Sequence, residues 1–141
     1  MCLCALFYHT VPDYPLAMAA NREEVYSRRA RRPAWLEDRP YIFAGQDLVA
    51  GGTWQGINRN GVLVALTNGR TGNADPDRRS RGLLCLDVLE HPTAVQARHW
   101  LQGHLRQQAY NSFNLICADS QRAFAVHSSD PPQIEELEPG D

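Results

Sequence analysis

Lysine is absent: all 14 basic residues of this 141-residue chain are arginine. The bias reads first as genomic composition and second as a preference for bidentate pairing with carboxylates or phosphates. A positive excess is missing too. The 16 acidic residues bring the formal charge to -2, so nothing drives sequence-independent binding to phosphate backbones, and nucleic acid is not an expected partner. No run of about 18 apolar residues occurs, which argues against a transmembrane helix. No basic segment leads into a long hydrophobic stretch at the N-terminus, so a secretory signal is not expected and a cytoplasmic location is. Cysteine is sparse and scattered, at Cys2, Cys4, Cys85 and Cys117, which predicts free thiols rather than a disulfide framework. Cys2-Leu3-Cys4 lacks two further ligands at short spacing, so no metal site is expected. Gly-rich phosphate loops, nucleophile elbows and kinase motifs are likewise absent.

Apolar residues at 43% and charged residues at 21% suit a globular chain, and the length suits a single domain over residues 1–141. The apolar run from Cys2 to His9 predicts a buried strand with Cys2, Cys4 and Leu6 on one face. Leu16 to Asn21 predicts its hairpin partner across a proline-bounded loop of about five residues. Tyr26 to Pro40 carries Arg28, Arg29, Arg31, Arg32 and Arg39 without a hydrophobic period and predicts a loop. That loop is read as solvated and partly neutralised by Glu37 and Asp38, ahead of a reading as an anion receiver. Asn60-Gly61 between two β-rich runs predicts a type I′ hairpin, with Asn68 near the end of its second strand. Ser80 can cap a helix running to about Glu90, and Thr93 a second with Ala94, Ala97, Leu101 and Leu105 on one face. Phe113 to Ala118 and Ala123 to His127 predict two more strands, followed by an acidic tail. Strands, then helices, then strands predict an α+β layered fold with antiparallel sheet.

Cys2 is the candidate nucleophile. An initiator methionine is normally trimmed before a small side chain, which would leave the thiol beside a free α-amine. The amine titrates near about 7.7–8.0 and a thiol near about 8.5, so one can take the other's proton close to neutral pH. The competing reading is a small buried hydrophobe. Asn21-Arg22-Glu23-Glu24 ends the neighbouring strand, where a guanidinium can favour the thiolate and a carboxylate can orient the amine. The Asn68 amide is a suitable oxyanion donor. Trp54 beside Gly51-Gly52 can line a ligand pocket, and Asn21, Gly52, Thr53 and Trp54 are the candidate ligand-binding residues. His91, His99 and His104 read as helix-surface residues, and His9 and His127 as structural ones on strands.

Met1-Cys2, Ala20-Asn21-Arg22-Glu23-Glu24, Gly51-Gly52-Thr53-Trp54-Gln55-Gly56-Ile57-Asn58, Gly61, Leu66-Thr67-Asn68-Gly69-Arg70 and Ser80-Arg81-Gly82 together resemble the NRDE family, also called the transport and Golgi organisation protein 2 family. The resemblance implies a four-layer αββα sandwich of N-terminal nucleophile hydrolase type, distantly similar to choloylglycine hydrolases and penicillin V acylases. It implies Cys2 as nucleophile, Arg22 as the arginine after the first hairpin and Asn68 as the oxyanion asparagine. The usual Asn-Arg-Asp-Glu reads Asn-Arg-Glu-Glu here, so Glu23 replaces aspartate with one extra methylene and Glu24 is an alternative orienting acid. The expected function is a cysteine-dependent amidohydrolase acting on a small molecule, with no cofactor. The alternative is a non-catalytic lipid- or haem-handling protein, because eukaryotic members are associated with those roles. Family members usually run longer, so this chain is expected to be a truncated N-terminal half, incomplete at its C-terminus. Its exposed sheet faces would favour self-association or a partner chain.

Overall fold

The computed structural model describes residues 2–69 and 74–140; Met1 and Arg70, named in the motifs above, lie outside the described residues. Strands β1 (Cys4–Val11) and β2 (Tyr14–Ala20) form a separate two-stranded antiparallel hairpin. Seven further strands, β3 (Ala30–Trp35), β4 (Ile42–Asp47), β5 (Gln55–Asn58), β6 (Leu63–Asn68), β7 (Phe113–Ala118), β8 (Ala123–His127) and β9 (Gln133–Leu137), make one antiparallel sheet in sequence order. Helices α1 (Arg81–Leu89) and α2 (Ala94–Gln107) enter between β6 and β7. The fold is α+β, as the element order predicts.

Alternation along the central strands assigns the layers. Phe113, Leu115 and Cys117 of β7 and Phe124 and Val126 of β8 share a core with Leu84, Leu86, Leu89 and Leu101 of the helices. The opposite face at Ala118 and Ala123 receives Tyr8, with Leu6, Leu16 and Leu137 packed around it. Helices, large sheet and hairpin are therefore three layers of a sandwich. A second helical layer, which would complete the expected αββα arrangement, is not among the described residues. Each fully buried Val, Leu or Phe contributes about 1.5–3 kcal/mol, so the helix side, where such residues concentrate, carries most of the stability. The hairpin side, built on Tyr8 and two alanines, is the weaker attachment.

Both helices begin where their caps were expected. The Ser80 hydroxyl accepts from the Gly82 amide and the Thr93 hydroxyl from the Gln96 amide. Other expectations need correction. The Asn60-Gly61 hairpin is not type I′: Gly61 has φ of 85° and Asn60 is not in the positive-φ region. Gly61 N–H donates to the Asn58 carbonyl and Asn58 N–H to the Val62 carbonyl, so a type I turn is followed by one left-handed glycine. The first hairpin turns within Pro12-Asp13, with β1 running to Val11 through an irregularity after Tyr8, rather than through a five-residue loop. The arginine-rich segment contains β3, and the acidic tail contains β9. These are the two edges of the large sheet, where charge and Pro33 protect against edge-to-edge pairing and where burial imposes no hydrophobic period.

Gly52 fixes how α1 meets the sheet. A Cβ there would lie 2.2 Å from the Gly82 carbonyl carbon, and Thr53 N–H donates to the Gly82 carbonyl oxygen at 3.0 Å. At the other end of α1, the buried Asn58 amide donates to the Leu89 and His91 carbonyls at 2.9 and 2.8 Å. Its oxygen meanwhile accepts from the Asn60 and Val62 amides. A prediction follows from two glycines. Gly52→Ala forces backbone apart and is expected to cost about 2 kcal/mol or more. A Cβ at Gly103, inside α2, meets nothing within 4 Å, and Gly103→Ala is expected to add about 1 kcal/mol. Urea midpoints compared with wild type check both signs.

Candidate functional site

The hairpin brings the N-terminal residues against the segment after β2. Asn21 N–H donates to the Leu3 carbonyl at 3.0 Å, and the Asn21 side-chain oxygen accepts from Leu3 N–H at 2.5 Å. This reciprocal clasp extends strand pairing beyond Cys4. Cys2 is thereby set opposite Glu23: Glu23 N–H donates to the Cys2 Sγ at 3.3 Å, and the thiol lies 3.6 Å from the Glu23 carbonyl oxygen. The contact with Glu23 is through its main chain. Asn21, expected among ligand-binding residues, gives its main-chain N–H and its side-chain oxygen to this clasp.

Two clefts meet at Cys2, and Asn68, at the end of β6, lines both with it. The larger, about 870 Å³, runs along the ends of β6, β7 and β8, and its wall includes Glu23, Thr67, Ser112, Phe113, Asn114, His127 and Ser128. His127 Nδ1 is 2.9 Å from the Asn114 side-chain oxygen. Ser128 ties the floor together, accepting from Phe113 N–H at 2.7 Å and donating to Ser112 at 3.3 Å. His127, read from sequence as structural, thus lies in a cleft with Cys2, with Asn114 and Ser128 beside it. The signal for these residues was the pairing of β7 with β6, which sets Asn68 opposite Phe113.

The smaller cleft, about 560 Å³, is walled by Arg22, Trp54 and charged residues from the segment before α1. Arg22 sits over the Trp54 ring, 4.8 Å from its centroid. Glu23, Glu24 and Thr53 also face this cleft. Gly52 does not line it; its backbone is committed to α1. Nearby, Arg28 pairs with Asp47 at 2.6 Å and approaches Glu24 at 3.7 Å. In the arginine-rich segment, Arg31 meets Glu37 and Arg39 meets Asp38 and Glu90, so much of its charge is internally compensated. Burial pushes the Cys4 thiol above its usual value. Burial does the same to Cys85 and Cys117, deep in the helix-side core. The described cysteines are free thiols, and among the described residues no group of three or more His, Cys, Asp or Glu converges as a metal site. No described helix is long and apolar enough to cross a membrane.

A family model described as Transport and Golgi organisation 2 matches residues 1–140. The match runs through the chain and does not bear out its description as an N-terminal half only. The chain is 35% identical to the Transport and Golgi organization 2 homolog of Mus musculus, over 83% of this chain and 45% of that protein. It is 37% identical to the homolog of Homo sapiens and 35% identical to that of Bos taurus, with the same coverage of 83% and 45%. The chain therefore spans about half the length of the curated relatives it matches.

The Arg28–Asp47 pair yields a pH prediction. Burial pushes the Asp47 carboxyl up, but hydrogen bonds from Arg28 and from the Val49 and Ala50 amides, with the Arg28 charge, outweigh it and hold the group below the usual carboxylate range. Its stabilisation is complete above the unfolded value near about 3.9 and is lost as pH falls through the lower, folded value. Asp47→Asn is expected to cost about 1–2 kcal/mol at neutral pH, the pair being partly solvated. That difference from wild type should shrink as pH falls below the ordinary carboxylate range, measured by urea unfolding across the acid range. A constant difference would rule out the pair as its source.

Proposed function

The chain belongs to the Transport and Golgi organisation 2 family, and we propose that it is a cysteine-dependent amidohydrolase of N-terminal nucleophile type with Cys2 as the nucleophile. The observation that carries this reading is that Cys2 and Asn68, contributed by different layers, line the same two clefts. A thiol at the meeting point of two clefts can attack a carbonyl whose two substituents extend to either side.

In the proposed sequence, removal of Met1 frees the Cys2 α-amine, which takes the thiol proton. The thiolate attacks the amide carbonyl carbon, and the Asn68 side-chain N–H groups donate to the resulting oxyanion. The ammonium returns its proton to the leaving nitrogen as the C–N bond breaks, leaving a thioester on Cys2. Water, deprotonated by the same amine, then attacks the thioester carbonyl; the C–S bond breaks, the sulfur takes the proton back from the ammonium, and the acid leaves. The Glu23 main chain positions the sulfur. Arg22, held by Trp54, forms part of the wall, and the carboxylate of Glu23 or Glu24 orients charge at the same mouth.

A non-catalytic, lipid- or haem-handling role is the second reading. It is favoured by an apolar depression of about 220 Å³ on the face of β4–β6 away from the helices, with Phe43, Trp54, Ile57 and Leu63 in its lining.

Intact mass and acyl trapping test the first reading. The purified chain should lack Met1. Cys2 should alkylate near neutral pH faster than Cys4, whose thiol burial pushes up. Incubation with an activated acyl p-nitroanilide should leave one acyl group, mapped to Cys2 and absent from Cys2→Ser. Asn68→Ala should slow acylation by about 10²–10³. A retained Met1, or acylation that survives Cys2→Ser, would remove the enzyme reading.

A further inference from the structure

We propose that the smaller cleft beside Cys2 is a carboxylate-binding subsite in which Arg81, with Arg22, holds the anionic end of the molecule whose amide lies at the sulfur. The inference rests on the amidohydrolase reading for the molecule's orientation, but the subsite has its own chemistry and its own readout.

By count the cleft is not strongly positive: Arg22, Arg28, Arg78, Arg79 and Arg81 face Glu23, Glu24, Asp47 and Asp75. The arrangement of those charges matters more. Arg28 is taken up by Asp47 at 2.6 Å, Arg79 by Asp87 at 2.7 Å, and Arg78 lies 3.5 Å from Asp75. Arg81 differs. Its described hydrogen bond runs from Nη1 to a main-chain carbonyl, that of Ser112, at 2.7 Å. That bond uses one of five N–H donors and supplies no countercharge. Burial and the neighbouring Arg28 both push the Arg81 guanidinium down, with Glu24 opposing them. A desolvated cation beside another cation gains more from an incoming anion than a solvated one does. Arg22 lines the same cleft as Cys2, and its contact with Trp54 consumes no N–H donor. Two guanidinium forks thus stand in the Cys2 cleft, and a planar carboxylate is the anion that matches a fork bidentately.

The second cleft supplies the contrast. Apart from Glu23, which lines both, the polar side chains named in its wall are hydroxyls, amides and His127. A substrate with one anionic and one neutral end would therefore lie in a single direction across the sulfur. The substrate class inferred is an amide bearing a free carboxylate on one side of the scissile bond.

Iodoacetate and iodoacetamide measure this without any hydrolysis. With either reagent the Cys2 sulfur forms a C–S bond and iodide leaves; only the carboxylate or carboxamide differs. Rates at Cys2, read by peptide mapping, are divided and compared with the same ratio for glutathione. The ratio should exceed glutathione's by about tenfold, the equivalent of one charge-assisted contact. Arg81→Gln and Arg22→Gln should each lower it severalfold, Arg81→Lys should restore part of it, and Arg106→Gln, on the exposed side of α2, should leave it unchanged. On the wild-type chain, benzoate should protect Cys2 from iodoacetamide better than benzamide does, which needs no variant to fold. A ratio equal to glutathione's, or equal protection by benzoate and benzamide, overturns the subsite. An elevated ratio without acyl trapping would keep the subsite and discard the enzyme; acyl trapping with an ordinary ratio would do the reverse.

Discussion

The clasp between Leu3 and Asn21 is the constraint on which the candidate site depends. Chain termini fray unless something ties them down, and the two hydrogen bonds exchanged here tie the backbone immediately after Cys2 to the backbone immediately after β2. The sulfur is then held against the Glu23 amide. Asn21 is thus the first residue of its motif to be explained by structure alone: its side-chain oxygen substitutes for a strand carbonyl where the hairpin ladder has run out. A leading cysteine without such a tether would sample solvent and meet neither cleft for long.

The site is divided between a strong body and a weaker layer. Asn68 stands on β6, paired through its length with β7 and backed by the helix-side core. Cys2 rides on a hairpin whose buried contact is Tyr8 against Ala118 and Ala123, reinforced where His9 Nε2 lies 3.0 Å from the Ser120 carbonyl. Asp119, in the same turn, accepts from the Ala94 amide at the start of α2 and from the Gln121 and Arg122 amides. One β-turn thereby connects the hairpin, the large sheet and a helix. Opening of the hairpin layer would separate Cys2 from Asn68 without unfolding the rest.

Much of this was legible in the residues. Periodicity located β1, β7 and β8, Ser80 and Thr93 located both helix starts, and the order of elements gave the α+β class with antiparallel sheet. Chain position singles out Cys2, but the adjacency in one sheet expected for Cys2 and Asn68 does not hold: Cys2 precedes the separate two-stranded hairpin and Asn68 ends β6 of the seven-stranded sheet. The failures have a common physical origin. Strands β3 and β9 are sheet edges, where one side of the ladder is open and exposed charge is tolerated, so Arg31-Arg32 and Glu135-Glu136 read as loop and tail. His127 reads as structural and Asn114 draws no notice, because what places them at Cys2 is the pairing of distant strands. Gly52 stands among the candidate ligand-binding residues, but the close backbone approach that a glycine permits is used for packing: Gly52 and Asn58 anchor the two ends of α1.

The central claim is that the clasped N-terminal segment holds the Cys2 sulfur within side-chain reach of residue 68. Short-span cross-linking measures this most directly: a small bis-alkylating thiol reagent applied to an Asn68→Cys chain in a Cys4→Ser background. The account predicts a single reagent bridging Cys2 and position 68, both leaving groups lost, with less bridging when Asn21→Ala removes the side-chain half of the clasp. Two separate mono-adducts at those positions, in a chain whose fold is intact, would contradict it.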